Sequence, residues 1–300
     1  MSDRHYILII GAMKCGTTTL FEQLALDPRV AGAHPKEPGF FAFEEVYAQG
    51  WDWYERQFGF DPAQHVYALD GSTDYAKHPF VQGVPERLRA AGAERFKLIY
   101  VLRDPIERLE SHARHTQLCR MEVGRALSPR PDHSLDAGIS PVNLAVSDYA
   151  AQLDVWREWY ERGALLALTT DRLKHDGQGV MDDLSAFLGL PGLQWRPQAK
   201  RANAKDAQRA EHPLLRSLKQ NDLVRETGKR LLPKAVRTAI NERAVKNLEA
   251  HGRFELTDAE RRDLAERLAP SLDRLTKDFG VEVPEAWKAH GVLSASGPQQ

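Results

Sequence analysis

Short apolar runs recur along the chain at Tyr6–Ile10, His65–Leu69, Lys97–Leu102 and Ala164–Thr169. They are nearly continuous rather than alternating, the pattern of strands covered on both faces. Helical patterns fall between them. Thr17–Leu26 opens directly from the first loop, and Pro105–Leu118 places proline near its start, where the missing N–H costs least. Val146–Arg162 carries Tyr149, Leu153, Trp156 and Tyr160 at helical spacing and predicts one helix. Strand and helix in this alternation predict an α/β fold, a central parallel β-sheet with helices on both faces. Residues 124–143 hold three prolines and little periodicity, and are expected to form a surface loop or lid. From about Glu211 the chain reads as helical and charged, and 294–300 as a disordered tail. The expectation is a single domain over 1–293 whose C-terminal part is helical.

Composition narrows the class. The 300 residues are 42% hydrophobic and 28% charged, as in ordinary globular enzymes, with a net charge of −1. No global field recruits nucleic acid or membrane, so any attraction for anions is local. Residues 213–246 hold nine Lys or Arg against three acidic residues, either a solvated helical face or a landing surface for an acidic acceptor. Cys15 and Cys119 are too few for a disulfide framework, which points to reduced thiols. No apolar run reaches membrane length or the form of a signal peptide, so a cytoplasmic enzyme without stable membrane insertion is expected.

The stretch ILIIGAMKCGTTTL (7–20) is a strand ending in Gly-x-x-x-x-Gly before a helix. Such a loop offers backbone N–H groups and the positive end of a helix dipole to an anion, which makes the sheet P-loop-like. Thr17 occupies the position where a nucleoside-triphosphatase carries lysine, and Lys14 lies inside the loop instead. A glycine-rich turn without a ligand is the plainer alternative. A second candidate stretch is KLIYVLRDPIERLES, with Arg103 at a strand end and Ser111 eight residues on. Ligands bind at the carboxyl ends of parallel strands, and an arginine there can fork onto a phosphate. The alternative is a structural ion pair of Arg103 with Asp104 or Glu107.

Together, GAMKCGTTTL and VLRDPIERLESH resemble the 5'-phosphosulfate and 3'-phosphate motifs of sulfotransferases that use 3'-phosphoadenosine 5'-phosphosulfate (PAPS). HPKEPGFF, WDWYERQF, DGSTDY and FLGL resemble the carbohydrate-type and bacterial branches, and LTDAERRDLAERLAPSLDRL echoes the family's last helix. The resemblance implies that Lys14 contacts the bridging oxygen, while Cys15, Gly16, Thr17 and Thr18 hold the 5'-phosphate. Arg103 and Ser111 read the 3'-phosphate, and Arg201, with Lys200 and Asn203, closes over the nucleotide. It implies no metal. TTDRLKHD departs from the Glu-Asp-Leu common at that point.

Transfer to a hydroxyl needs a base. Glu37 precedes Pro38, which favours extended backbone, and Phe40 and Phe41 are expected to exclude water around it. The resemblance agrees, since the carbohydrate branch uses the matching glutamate. His34, His112 and His115 are the competing bases. Lys36, Asp70, Ser72 and Trp53 are candidates for holding the acceptor. Asp70 and Ser72 can equally form a turn, and Trp51, Trp53 and Tyr54 can equally be core. The expected reaction is sulfuryl transfer to a saccharide, glycolipid or natural product. A P-loop small-molecule kinase and a catalytically inactive nucleotide-binding protein are the alternatives. A homodimer and N-sulfation stay open.

Overall fold

The computed structural model describes residues 4–122, 139–196 and 254–291. It falls into two compact units, one drawn from Met1–Leu109, Pro141–Arg196 and Asp258–Gln300, the other from Glu110–Ser140 and Pro197–Thr257.

The first unit holds a five-stranded sheet. Its strands are β1 (His5–Gly11), β2 (Val30–Gly32), β3 (Tyr67–Asp70), β4 (Phe96–Leu102) and β5 (Leu165–Thr169), in the order β2-β3-β1-β4-β5. Every pairing is parallel, with Tyr6 opposite Ala68 on one side and Phe96 on the other. Tyr6 to Ile10 are fully buried, as both-faces-covered strands require. The chain places β2 and β3 on one side of β1 and then crosses to put β4 and β5 on the other. Connections that leave in opposite directions open a crevice at the carboxyl ends of the strands.

Helices α1 (Thr17–Leu24), α2 (Glu44–Tyr47), α3 (Trp51–Glu55) and α4 (Val84–Ala90) follow the early strands. After β4 comes α5 (Pro105–Glu122), which passes from the first unit into the second. Next are α6 (Pro141–Ser147), α7 (Tyr149–Asp154), α8 (Arg157–Glu161), α9 (Thr170–His175) and α10 (Gly177–Leu188). The last are α11 (Asp258–Phe279) and α12 (Glu285–Lys288).

The expected helix over 146–162 is three pieces. Asp148 breaks it by capping α7, its Oδ1 accepting from Ala151 N at 3.2 Å, and the backbone turns again at Trp156. The expected loop at 124–143 ends earlier than predicted, because Pro141 starts α6. Residues 124–138, the basic stretch 213–246 and the tail 294–300 lie outside the described residues. The three-residue β2 was not foreseen.

The core is aromatic on one flank. Phe40 stacks on Tyr54 at 4.6 Å, and Tyr6 lies 5.5 Å from Trp51 and 5.4 Å from Phe96. α11 buries Leu272, Leu275 and Phe279, and its Ser271 Oγ accepts from Ala150 N of α7 at 3.0 Å. In the second unit, Glu110 accepts from Leu256 N at 2.9 Å and pairs with Arg114 at 2.9 Å. Arg114 also donates to the Phe254 carbonyl.

Candidate active site

Five parallel strands deliver their carboxyl ends to one edge, and the candidate residues of the first unit sit there. At the end of β1 the loop turns back on itself, with Cys15 N donating to Ala12 O at 3.2 Å. Ala12 N reaches across to Val101 O at 2.8 Å and so continues the pairing with β4. Gly16 turns the chain with φ 86°, a conformation glycine adopts at no steric cost. Gly11 has a different reason to be small, since a Cβ there would come within 2.7 Å of the Tyr100 ring.

Lys14 has φ 74° and is, among the described residues, the one non-glycine in the left-handed region. Such strain persists where the surroundings impose it, and it gathers at functional sites. The ladder of α1 begins with Leu20 N to Gly16 O at 3.2 Å. The N–H groups of Thr17, Thr18 and Thr19 therefore precede it, and the helix offers them no acceptor. Thr17 is buried and Thr18 exposed. A loop of this kind fits a phosphate.

Arg103 follows β4 directly. Its Nε and Nη2 donate to Glu107 Oε2 at 3.0 and 2.7 Å, and its Nη1 reaches the Lys14 carbonyl at 3.4 Å. The guanidinium thus rests against the loop while paired to a carboxylate one helical turn away. Asp104 is committed to the fold. Its Oδ1 accepts from Ile106 N and Glu107 N at the start of α5, and its Oδ2 lies 2.7 Å from His290 Nε2. Burial pushes the Asp104 carboxyl up, against the lowering pull of these partners.

Behind the loop, Cys15 is a free, fully buried thiol 3.7 Å from Tyr149 OH. Burial raises its pKa, which suits a packing role rather than a nucleophile.

Glu37 sits on the segment between β2 and α2, half-buried, with 26% of its side chain exposed. Lys36 Nζ donates to Glu37 Oε1 at 2.6 Å and to the Gly71 carbonyl at 3.1 Å. The Lys36 stem lies so close over Gly71 that a Cβ there would meet its Cε at 3.0 Å. Phe40 and Phe41 follow Glu37 by three and four residues. Both are buried in the aromatic core, where Phe41 packs against Tyr54 at 5.2 Å and Tyr75 at 5.7 Å. Trp53 is half-buried and stacks on Phe40 at 6.2 Å, while Tyr54 is wholly core.

The structure corrects the reading of Asp70 and Ser72 as acceptor ligands. Both are 0% exposed. Asp70 closes β3 and takes Tyr54 OH at 3.0 Å, Tyr75 OH at 2.6 Å, Ser72 N at 2.8 Å and Ser72 Oγ at 2.6 Å. Ser72 Oγ in turn accepts from Gly39 N at 2.9 Å. The turn reading holds, and the carboxylate organises the edge from beneath. Burial raises the Asp70 pKa despite these donors.

His34 is exposed. Ser111, His112 and His115 are half-buried on α5 in the second unit. Lys200, Arg201, Asn203 and the side chain of Cys119 lie outside the described residues. Sequence reasoning missed Tyr149, Thr170 and His290, whose ties to the edge are between distant positions and leave no local signal. A cavity of about 410 Å³ lined by Tyr75, His78, Arg89 and Trp156, among others, includes none of the loop residues. Among the described residues no helix is long and apolar enough to cross a membrane.

Comparison with known proteins adds four findings. The family described as "Sulfotransferase domain" matches residues 4–234. Heparan sulfate glucosamine 3-O-sulfotransferase 3A1 of Mus musculus is 30% identical over 192 residues, covering 61% of this chain and 45% of that protein. The bifunctional heparan sulfate N-deacetylase/N-sulfotransferase 1 of Caenorhabditis briggsae is 27% identical, covering 62% and 22%. The chain thus spans about half the length of the former and less of the latter. Among solved structures, a sulfotransferase from Alicyclobacillus acidocaldarius superposes with a TM-score of 0.59 at 20% identity, covering 96% of this chain and all of that one, a likeness of fold.

Proposed function

The chain belongs to the sulfotransferase domain family, and from that premise we propose that it transfers a sulfuryl group from PAPS to a hydroxyl of a saccharide, glycolipid or natural-product acceptor. One observation carries the reading. The phosphate loop and Arg103 stand at adjacent strand ends, joined through Arg103 Nη1 and the Lys14 carbonyl at 3.4 Å. That arrangement suits a ligand bearing two separate phosphates.

PAPS, when bound, supplies the sulfuryl group and a 5'-phosphate as leaving group. The chain's own residues divide the work. The N–H groups of Thr17 to Thr19 and the hydroxyls of Thr17 and Thr18 hold the 5'-phosphate. Lys14 offsets negative charge building at the bridging oxygen. Arg103 takes the 3'-phosphate by exchanging or sharing its hold on Glu107. Glu37, with one oxygen steadied by Lys36, removes the acceptor proton.

The test is melting of the protein with adenosine 3',5'-bisphosphate against ATP with magnesium. The bisphosphate at about a hundred times its dissociation constant is expected to stabilise by about 2.7 kcal/mol. Stabilisation by ATP–magnesium alone would favour a kinase. Glu37→Gln is expected to keep that stabilisation while turnover, followed as sulfated product by mass spectrometry, falls about 10²–10⁴-fold. Normal turnover in Glu37→Gln removes the glutamate from its role.

A further inference from the structure

On the footing of that nucleotide grip, we propose that Thr170 is a positioning residue whose hydroxyl holds the phosphate loop in fixed relation to the strand end bearing Arg103. Its Oγ1 lies 2.8 Å from the carbonyl oxygen of Cys15 and 2.8 Å from that of Leu102. Cys15 stands between Lys14 and Gly16 in the loop, and Leu102 immediately precedes Arg103. Two buried carbonyls directed at one point repel each other and need a donor, and the hydroxyl supplies its single proton, shared between them.

The donor comes from a third strand. Thr170 is the first residue of α9, directly after β5, and Thr169 caps that helix by accepting from Arg172 N at 3.3 Å. Its placement is therefore fixed by the sheet rather than by the loop. A β-branched residue has few χ1 rotamers, and the two carbonyls at 2.8 Å hold Oγ1 in the one that faces the junction. Thr170 is 8% exposed, so water does not compete for the two carbonyls.

Tyr149 braces the same junction from α7. Its hydroxyl donates to the Arg103 carbonyl at 2.8 Å and lies 3.7 Å from Cys15 Sγ. Adenosine bisphosphate is gripped at two phosphates, so its affinity depends on the spacing of the two grips. A loop free to drift from Arg103 would meet one phosphate and miss the other, and the ordering cost would fall on binding.

Calorimetric titration of the full chain with adenosine 3',5'-bisphosphate tests this. Thr170→Val keeps the shape and removes the donor, and its dissociation constant is expected to rise about tenfold, the equivalent of one hydrogen bond. Thr170→Ser restores the hydroxyl and is expected to bind within about twofold of the parent. In the background of Arg103→Ala the valine substitution is expected to cost much less, because one grip is already gone. In turnover, Thr170→Val is expected to raise KM for PAPS more than it lowers kcat. If the valine protein does not fold, Thr170→Ala takes its place.

Unaltered binding in the donor-less variant overturns the proposal, as does a serine variant as weak as the valine one, which would make packing the cause. A parent protein that does not bind the bisphosphate overturns the proposed function itself, whereas a parent that binds beside an unaffected valine variant overturns only the role of Thr170.

Discussion

Arg103 is held by Glu107 through two nitrogens before any ligand arrives, and the carboxylate registers that hold. Burial pushes the Glu107 carboxyl up, but the hydrogen bonds and charge of Arg103, helped by Lys174 and His290, outweigh it and the net shift is downward from 4.5. A depressed carboxyl contributes stability above its unfolded value, and that contribution is lost as pH falls through the folded one. About half the Glu107 side chain is exposed, so the contribution is under about 1 kcal/mol. Removing the guanidinium leaves the burial behind. Arg103→Ala is therefore expected to move the Glu107 titration up, as seen by carboxyl-carbon NMR. Saturating bisphosphate is expected to move it the same way. A Glu107 titration indifferent to the nucleotide would mean that Arg103 never leaves its carboxylate.

At the level of elements, Asp70 joins three pieces of chain: the end of β3, α3 through Tyr54, and the turn at Thr73–Ala76 through Tyr75. Ser72 extends the joint to Gly39, two residues beyond Glu37. Asp70→Ala strands several buried donors, each costing about 1–3 kcal/mol, so a loss of about 3 kcal/mol or more is expected in denaturant melts. An unchanged midpoint with a raised acceptor KM would restore Asp70 to the acceptor site. The segment DGSTDY could be read as a turn from its own residues, but not as buried, because Tyr54 and the aromatic core around Tyr75 come from elsewhere in the chain. The long strands were legible because both-face burial writes itself as continuous Ile, Leu and Val. β2 was not, since three residues carry no period. The break at Asp148 was hidden by the apolar spacing of Tyr149, Leu153 and Trp156, which continues across it.

For the whole molecule, the loop after β1 and Arg103 after β4 were legible as local features, whereas what fixes them to one another was not. Thr170 and His290 reach this edge from far along the chain, and only folding reveals them. The C-terminal helix is a similar case, held mainly by its apolar side. Leu275→Ala is expected to cost about 2–5 kcal/mol. Arg274→Ala, which loses exposed pairs to Asp154 and Asp278 at 2.8 and 2.9 Å, is expected to leave the unfolding midpoint almost unchanged. Equal losses in chemical melts would show that the ion pairs carry more than their exposure allows. β1 has a consequence for synthesis. It is the first strand of this sheet in chain order and also the middle of it, and its neighbours begin only at Tyr67 and Phe96. A nascent chain that has not reached Phe96 carries an apolar ribbon with an open edge, the type of segment that sticks to other chains. Both edges of β1 can be paired only once the chain has been made through β4.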